Sequence, residues 1–220
     1  GLLHLIETSD VPSVPDRWTT RAFRNRSDNL AALRGRSITT SPDRYKRVVS
    51  DISRVLETAT RERGAVGLAN YRQQGFSPVR SQDLLAAAEK PEFNPFYPYF
   101  NARLMKILEE SPPSVVGLSL NYLSQALCTF AMIGFLKRVC PEVRIVLGGG
   151  LVTSWVKSPL WRDPFKGLVD NVIAGPGEGP LLSLLAVLGG RRLCQRALVL
   201  CVKRRVSVGA PAPPPGHPLP

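Results

Sequence analysis

Residues 114–150, SVVGLSLNYLSQALCTFAMIGFLKRVCPEVRIVLGGG, constrain the fold more than any other part of the chain. A short apolar run ends at Ser119, an amphipathic helical pattern follows, and a second apolar run leads into Gly148-Gly149-Gly150. A helical crossover is the usual way to join parallel strands, so the pattern predicts a strand–helix–strand unit with Ser119 and the glycines together at the carboxyl ends. In open α/β sheets that edge is where nucleotide-like ligands bind.

The strand readings rest on composition and length. Val115-Val116-Gly117-Leu118-Ser119-Leu120 and Val143-Arg144-Ile145-Val146-Leu147 are short and nearly all apolar, as strands covered on both faces are. A third run, Val169-Asp170-Asn171-Val172-Ile173-Ala174, precedes Gly175-Pro176-Gly177-Glu178-Gly179. Between the first two, Ser124 is placed to cap a helix whose apolar positions Leu127, Phe130, Ala131, Ile133 and Gly134 recur at helical spacing. Lys137 and Arg138 fall in its last turn, with Pro141 beyond. Residues 111–189 are therefore expected to form the parallel-sheet core of a Rossmann-like (flavodoxin-like), doubly wound α/β domain.

Residues 1–110 read as the mostly helical amino-terminal part of that domain. Asp16 or Thr19 starts a helix through Arg34, and Ser41-Pro42-Asp43 starts another continuing to Arg63 before Gly64. Tyr45, Val48, Val49, Ile52, Val55 and Leu56 make its apolar stripe. A turn-rich run over 64–81 leads to a short helix over 82–90 and then to a proline–aromatic segment, PEFNPFYPYF, that enters a helix ending near Glu110. Those aromatics either wall a pocket or pack the helical segment onto the sheet, and packing is the reading we take. Residues 1–6 read as a helix already under way, so the sheet is expected to lack an amino-terminal βα unit.

At 220 residues and 44% hydrophobic the chain can bury a sizeable core, and nothing in it resembles a signal peptide. Asn121, Ser124 and Gln125 interrupt the apolar run over 115–136, which argues against a membrane span and for a cytoplasmic protein. Cys128, Cys140, Cys194 and Cys201 lack metal-ligand spacing and are expected to be reduced thiols. Half of the +12 net charge lies after residue 188, where six basic residues occur with no acidic one. Residues 190–220, ending in APAPPPGHPLP, are expected to be a basic, proline-rich, disordered tail. With no aromatic interleaving or zinc finger, that tail does not indicate a specific nucleic-acid partner.

Ser119-Leu120-Asn121, followed after 26 residues by Gly148-Gly149, resembles the Ser-x-Leu … Gly-Gly pattern of cobalamin-binding domains. Residues 148–155 and 169–178 look like the fourth- and fifth-strand signatures of the cobalamin-binding domain that precedes a radical S-adenosylmethionine domain. Segments 16–33, 43–49 and 68–100 are similar to a bacterial subgroup of such proteins, and the likeness spans roughly residues 1–188. It implies a corrinoid cofactor and, in a full-length parent, a radical domain carrying an iron–sulfur cluster and S-adenosylmethionine. It also implies a role for each matched residue. Ser119 would donate to a nitrogen of the dimethylbenzimidazole, while Leu120, Asn121 and Tyr122 line the same turn. Gly148, Gly149 and Gly150 would let the nucleotide tail approach the backbone. Thr153, Gly175, Gly177 and Glu178 would either hydrogen-bond the tail or cap helices, capping being the preferred role for Glu178.

The departures are as informative. Asn121 stands where the simplest pattern has Leu, and the Asp-x-His-x-x-Gly motif is absent: the chain's histidines are His4 and His217. A bound corrinoid would thus have no protein histidine on cobalt. The Cys-x-x-x-Cys-x-x-Cys cluster motif is also missing, so the chain is expected to be non-catalytic alone. Gly-Gly-Gly and Gly-x-Gly-Glu would also suit another nucleotide cofactor, such as a flavin or nucleotide-sugar, although the Ser119-to-glycine spacing favours the corrinoid, and a decayed domain with no ligand is a third reading.

Overall fold

The computed structural model describes residues 1–35, 38, 40–68, 70–193 and 197–201, with 188–193 and 197–201 described as backbone. The fold is mixed α/β. Helices α1 (Leu2–Thr8), α2 (Arg17–Arg24), α3 (Arg26–Arg34) and α4 (Pro42–Thr60) come first, then an antiparallel pair, β1 (Gly64–Val66) and β2 (Tyr71–Gln73). Next are α5 (Ser81–Glu89), a 3-10 turn (Pro91–Phe93) and α6 (Tyr97–Glu110). The sheet region follows as β3 (Val115–Ser119), α7 (Leu123–Val139), β4 (Arg144–Gly148), α8 (Gly150–Val156), β5 (Asn171–Ile173), α9 (Glu178–Leu193) and β6 (Ala197–Cys201).

β3 to β6 form one parallel sheet in the order β5-β4-β3-β6. The register pairs Val116 with Ile145 and Leu118 with Leu147 on one face, and Val115 with Arg144, Gly117 with Val146 and Ser119 with Gly148 on the other. On the first face Val116, Leu118, Leu120, Ile145 and Leu147 join a large core shared with α7, α8 and the helical first half. On the second, Val115, Val146 and Ile173 meet Leu181, Leu184 and Leu185 of α9.

α7 differs from its expected amphipathic form. Its residues from Ala126 to Leu136 are buried with the sole exception of Cys128, because α5, α6 and the 3-10 turn cover the side away from the sheet. Its length of uninterrupted apolar sequence follows from being sandwiched rather than half-exposed. Gly134 permits the closest approach: a Cβ there would lie 1.8 Å from the Ala88 carbonyl oxygen of α5. The proline–aromatic segment contributes to the same layer, with Tyr97 and Phe100 edge-on to Phe135. The aromatic segment thus packs on α7, within the core that α7 shares with the sheet.

Other expectations shift in detail. The helix expected up to Arg34 is broken at Asn25 into α2 and α3, and Asp16 caps it by accepting from the Trp18 and Thr19 amides. Asp51 of α4 is buried and takes hydrogen bonds from Arg21 and Asn29, tying these three helices together. α7 begins at Leu123 with no side-chain cap, so Ser124 is inside the helix and not its cap. The turn-rich run contains the β1–β2 pair, whose Tyr71 hydroxyl donates to Gln73 and accepts from Asn94. Regular structure also continues past residue 190: α9 runs to Leu193 and β6 pairs with β3. The remainder of the expected tail, 202–220, lies outside the described residues, as does His217. Among the described residues no helix is long and apolar enough to cross a membrane.

Candidate functional site

Three strand-to-helix turns meet at the carboxyl edge of the sheet. Each strand ends where its neighbour does, since Ser119 pairs with Gly148 and Gly148 with Ile173. A groove of about 290 Å3 opens there on the α9 face, lined by Gly117, Ser119, Val146, Gly148, Ile173 and Leu181, with Gly149, Gly175, Gly177 and Glu178 at its rim. Its floor is bare for a simple reason. Gly117 and Gly148 are on the same face of adjacent strands at diagonal positions, Gly117 opposite Val146 and Gly148 opposite Ser119, so two of the four positions have no side chain. Val146 and Ile173 supply apolar walls, and Leu181 of α9 lies over them.

The expected site residues divide into three groups. Ser119, Gly148, Gly149, Gly175, Gly177 and Glu178 line the groove together. Asn121, Gly150 and Thr153 stand behind it and bind its lining residues: Asn121 Nδ2 donates to Ser119 Oγ at 3.1 Å, and Asn121 Oδ1 accepts from the Gly150 amide at 2.9 Å. Thr153 Oγ1 donates to the Gly149 carbonyl and accepts from the Gly175 amide, both at 2.9 Å. The Thr153 hydroxyl is thereby committed to joining the β4 and β5 turns. Leu120 and Tyr122 form the third group. Leu120 is fully buried on the α7 face, while Tyr122 is half-exposed outside the groove.

The glycine triplet also separates by role. At Gly149 φ is +110° and a Cβ would lie 2.4 Å from the Leu120 carbonyl oxygen, so close passage of the β3 and β4 turns requires glycine irrespective of any ligand. Leu120 fixes that passage by donating to the Gly148 carbonyl and accepting from the Leu151 amide. Gly148 is the one that opens the groove floor. A Cβ at Gly150 would make only an ordinary 3.6 Å contact with Asn121 Oδ1.

Gly117, Val146 and Ile173 read in the sequence simply as strand residues, and Leu181 was not singled out. The usable signal was the alternation of strand faces: Gly117 is two residues before Ser119 and so shares its face. Glu178 is the first residue of α9, an end where a carboxylate is stabilised by the helix dipole. Elsewhere, Cys128 is only partly buried as a residue, but its thiol packs against the core and the resulting desolvation pushes it up to about 12, which leaves it protonated and unreactive at neutral pH. No group of three or more His, Cys, Asp or Glu side chains that could hold a metal ion occurs among the described residues. No family model matches the chain, and no curated protein or solved structure matches it.

Proposed function

We propose that this chain is a corrinoid-binding domain, with the groove at the carboxyl edge taking the nucleotide tail of cobalamin, and that its fold is the doubly wound, flavodoxin-like one. The observation that carries the reading is the coincidence of two glycines placed diagonally on one sheet face, Gly117 opposite Val146 and Gly148 opposite Ser119, with the Ser119 hydroxyl on that same face. A planar base entering edge-on needs a floor without side chains, apolar walls and one donor at its far end. Val146 and Ile173 provide the walls and Ser119 the donor. The volume suits a base and ribose, leaving the corrin ring outside, over the strand ends. The doubly wound reading draws on the placement of α7 and α8 against one face and α9 against the other.

The spacing of 26 residues between Ser119-Leu120-Asn121 and Gly148-Gly149 favours this over another nucleotide cofactor. When bound, the corrinoid supplies a cobalt centre for methyl transfer or for assisting a radical rearrangement. The chain's own residues hold and orient it, while the iron–sulfur cluster and S-adenosylmethionine belong to a radical domain of a parent protein, the proposed partner.

The test is titration of the full chain with hydroxocobalamin, followed by gel filtration and a visible spectrum. Co-elution that weakens at least about tenfold in Ser119→Ala supports the reading. A folded wild type that retains no cobalamin rejects it.

A further inference from the structure

A side-chain amide can face its neighbours in two ways, and at Asn121 the structure leaves one. The Gly150 amide can only donate, so the atom it meets at 2.9 Å is the Asn121 oxygen. The Asn121 NH2 group is therefore turned toward Ser119 Oγ, 3.1 Å away, and Ser119 must accept from it. The turn itself is held by a further bond from the Asn121 amide to Gln125 Oε1. With one of its two lone pairs engaged by Asn121, Ser119 cannot turn its proton toward that neighbour and keeps it to offer elsewhere, and no hydrogen bond of that proton is found among the described residues.

We propose that Asn121 sets the hydrogen-bonding polarity of the groove, holding the Ser119 hydroxyl as a donor so that the site selects a ligand presenting a bare acceptor, such as an unprotonated ring nitrogen. The inference rests on the corrinoid reading of the groove and assigns to Asn121 a positioning role, not a contact with the cofactor. Leucine at this position could not do the same, having neither donor nor acceptor. The departure of residue 121 from the simplest Ser-x-Leu pattern is thereby given a function.

The substitution Asn121→Asp reverses the polarity at almost constant shape. A carboxylate accepts from Gly150 as before but forces Ser119 to donate to it, leaving only lone pairs to face the ligand. Hydroxocobalamin binding is expected to weaken at least about tenfold in Asn121→Asp and comparably in Ser119→Ala. In the double variant the aspartate should add nothing further, because its effect runs through the hydroxyl. Binding of Asn121→Asp within twofold of wild type overturns the proposal, and so does an equal loss in the Ser119→Ala background, which would mark simple charge repulsion.

A second readout needs no cofactor. In ligand-free Asn121→Asp the new carboxylate, accepting from both Gly150 and Ser119, should titrate below the ordinary aspartate value of about 3.9 and move back up when Ser119→Ala is added. Carboxyl-carbon chemical shifts against pH report it. An ordinary value, or one insensitive to Ser119→Ala, overturns the polarity assignment. If wild type binds no cobalamin, the corrinoid reading fails while this titration still decides what Asn121 does.

Discussion

Leu147 and Gly148 are neighbours in β4 and belong to different parts of the molecule. Leu147 is fully buried between the sheet and the layer containing α7, in a row with Val116, Leu118, Leu120 and Ile145. Gly148 faces α9, on the same sheet face as Gly117, Ser119, Val146 and Ile173, where two glycines and a serine sit between apolar walls. One face of the sheet is filled and the other is left open at its carboxyl end. The lesson is that the alternation of a strand, one residue in each direction, separates what holds this fold together from the face on which the proposed groove opens.

Substitutions on the filled face should cost the most stability. Leu147→Ala removes a fully buried side chain from the main core and is expected to cost about 2–5 kcal/mol by urea unfolding, while leaving the groove's own lining untouched. A cost under about 1 kcal/mol would mean that the two faces are not distinguished by packing. Gly134→Ala tests the outer side of the same layer. Helix propensity alone favours alanine by about 1 kcal/mol, but its Cβ would collide with the Ala88 backbone, so a net loss of about 1–3 kcal/mol is expected. Stabilisation would show that α5 and α7 are not in such close contact.

At the open edge the effects should be smaller and should fall on geometry. Thr153→Val keeps the shape but leaves the Gly175 amide and Gly149 carbonyl without the hydroxyl that joins their turns. A loss of about 1 kcal/mol is expected, with Thr153→Ser restoring most of it. Equal destabilisation by valine and serine would assign the effect to the methyl group instead.

The smallest effect concerns the opposite edge. Burial pushes the Asp170 carboxyl up, but hydrogen bonds from the Ile145 amide and Lys137, and the charges of Lys137 and Arg144, outweigh it and hold the group below its usual value. A carboxylate depressed in the folded state stabilises above its unfolded pKa, and that contribution disappears as pH falls through the folded value. Asp170→Asn should therefore cost about 1 kcal/mol or less at neutral pH and flatten the loss of wild-type stability below about pH 4. An unchanged acid limb would remove Asp170 from the account.

Much of this arrangement was legible in the sequence, in a particular way. The succession β3, α7, β4 could be read because each segment carries a continuous apolar or helical pattern with breakers at its ends, and Ser119 and Gly148 fell together as that unit requires. The full burial of α7 could not be read, since it depends on where α5 and α6 dock, and no local pattern encodes that. The break at Asn25 was equally silent: the residues on either side favour helix. At the site, glycines and Ser119 stood out as types, whereas Gly117 looked like strand interior until the register put it beside Val146. Thr153 was expected either to hydrogen-bond the tail or to cap a helix, and Leu120 to line the β3 turn; the structure has the Thr153 hydroxyl joining two turns and Leu120 buried on the α7 face, because sequence spacing gives proximity to a turn but not the face a side chain takes.

The central claim, that the open face of the sheet is a cofactor groove, is tested most directly by Gly148→Val. A Cβ there would lie 3.3 Å from the Ile173 carbonyl oxygen, a tight contact that needs a shift of a few tenths of an ångström, and 3.7 Å from Ile173 Cβ, so the variant should fold at a modest cost in stability while its side chain fills the groove floor. Hydroxocobalamin should co-elute with wild type and be lost from Gly148→Val under conditions where its unfolding curve shows the variant folded. Undiminished cobalamin binding by a folded Gly148→Val chain would contradict the account and move the ligand, if there is one, to another surface.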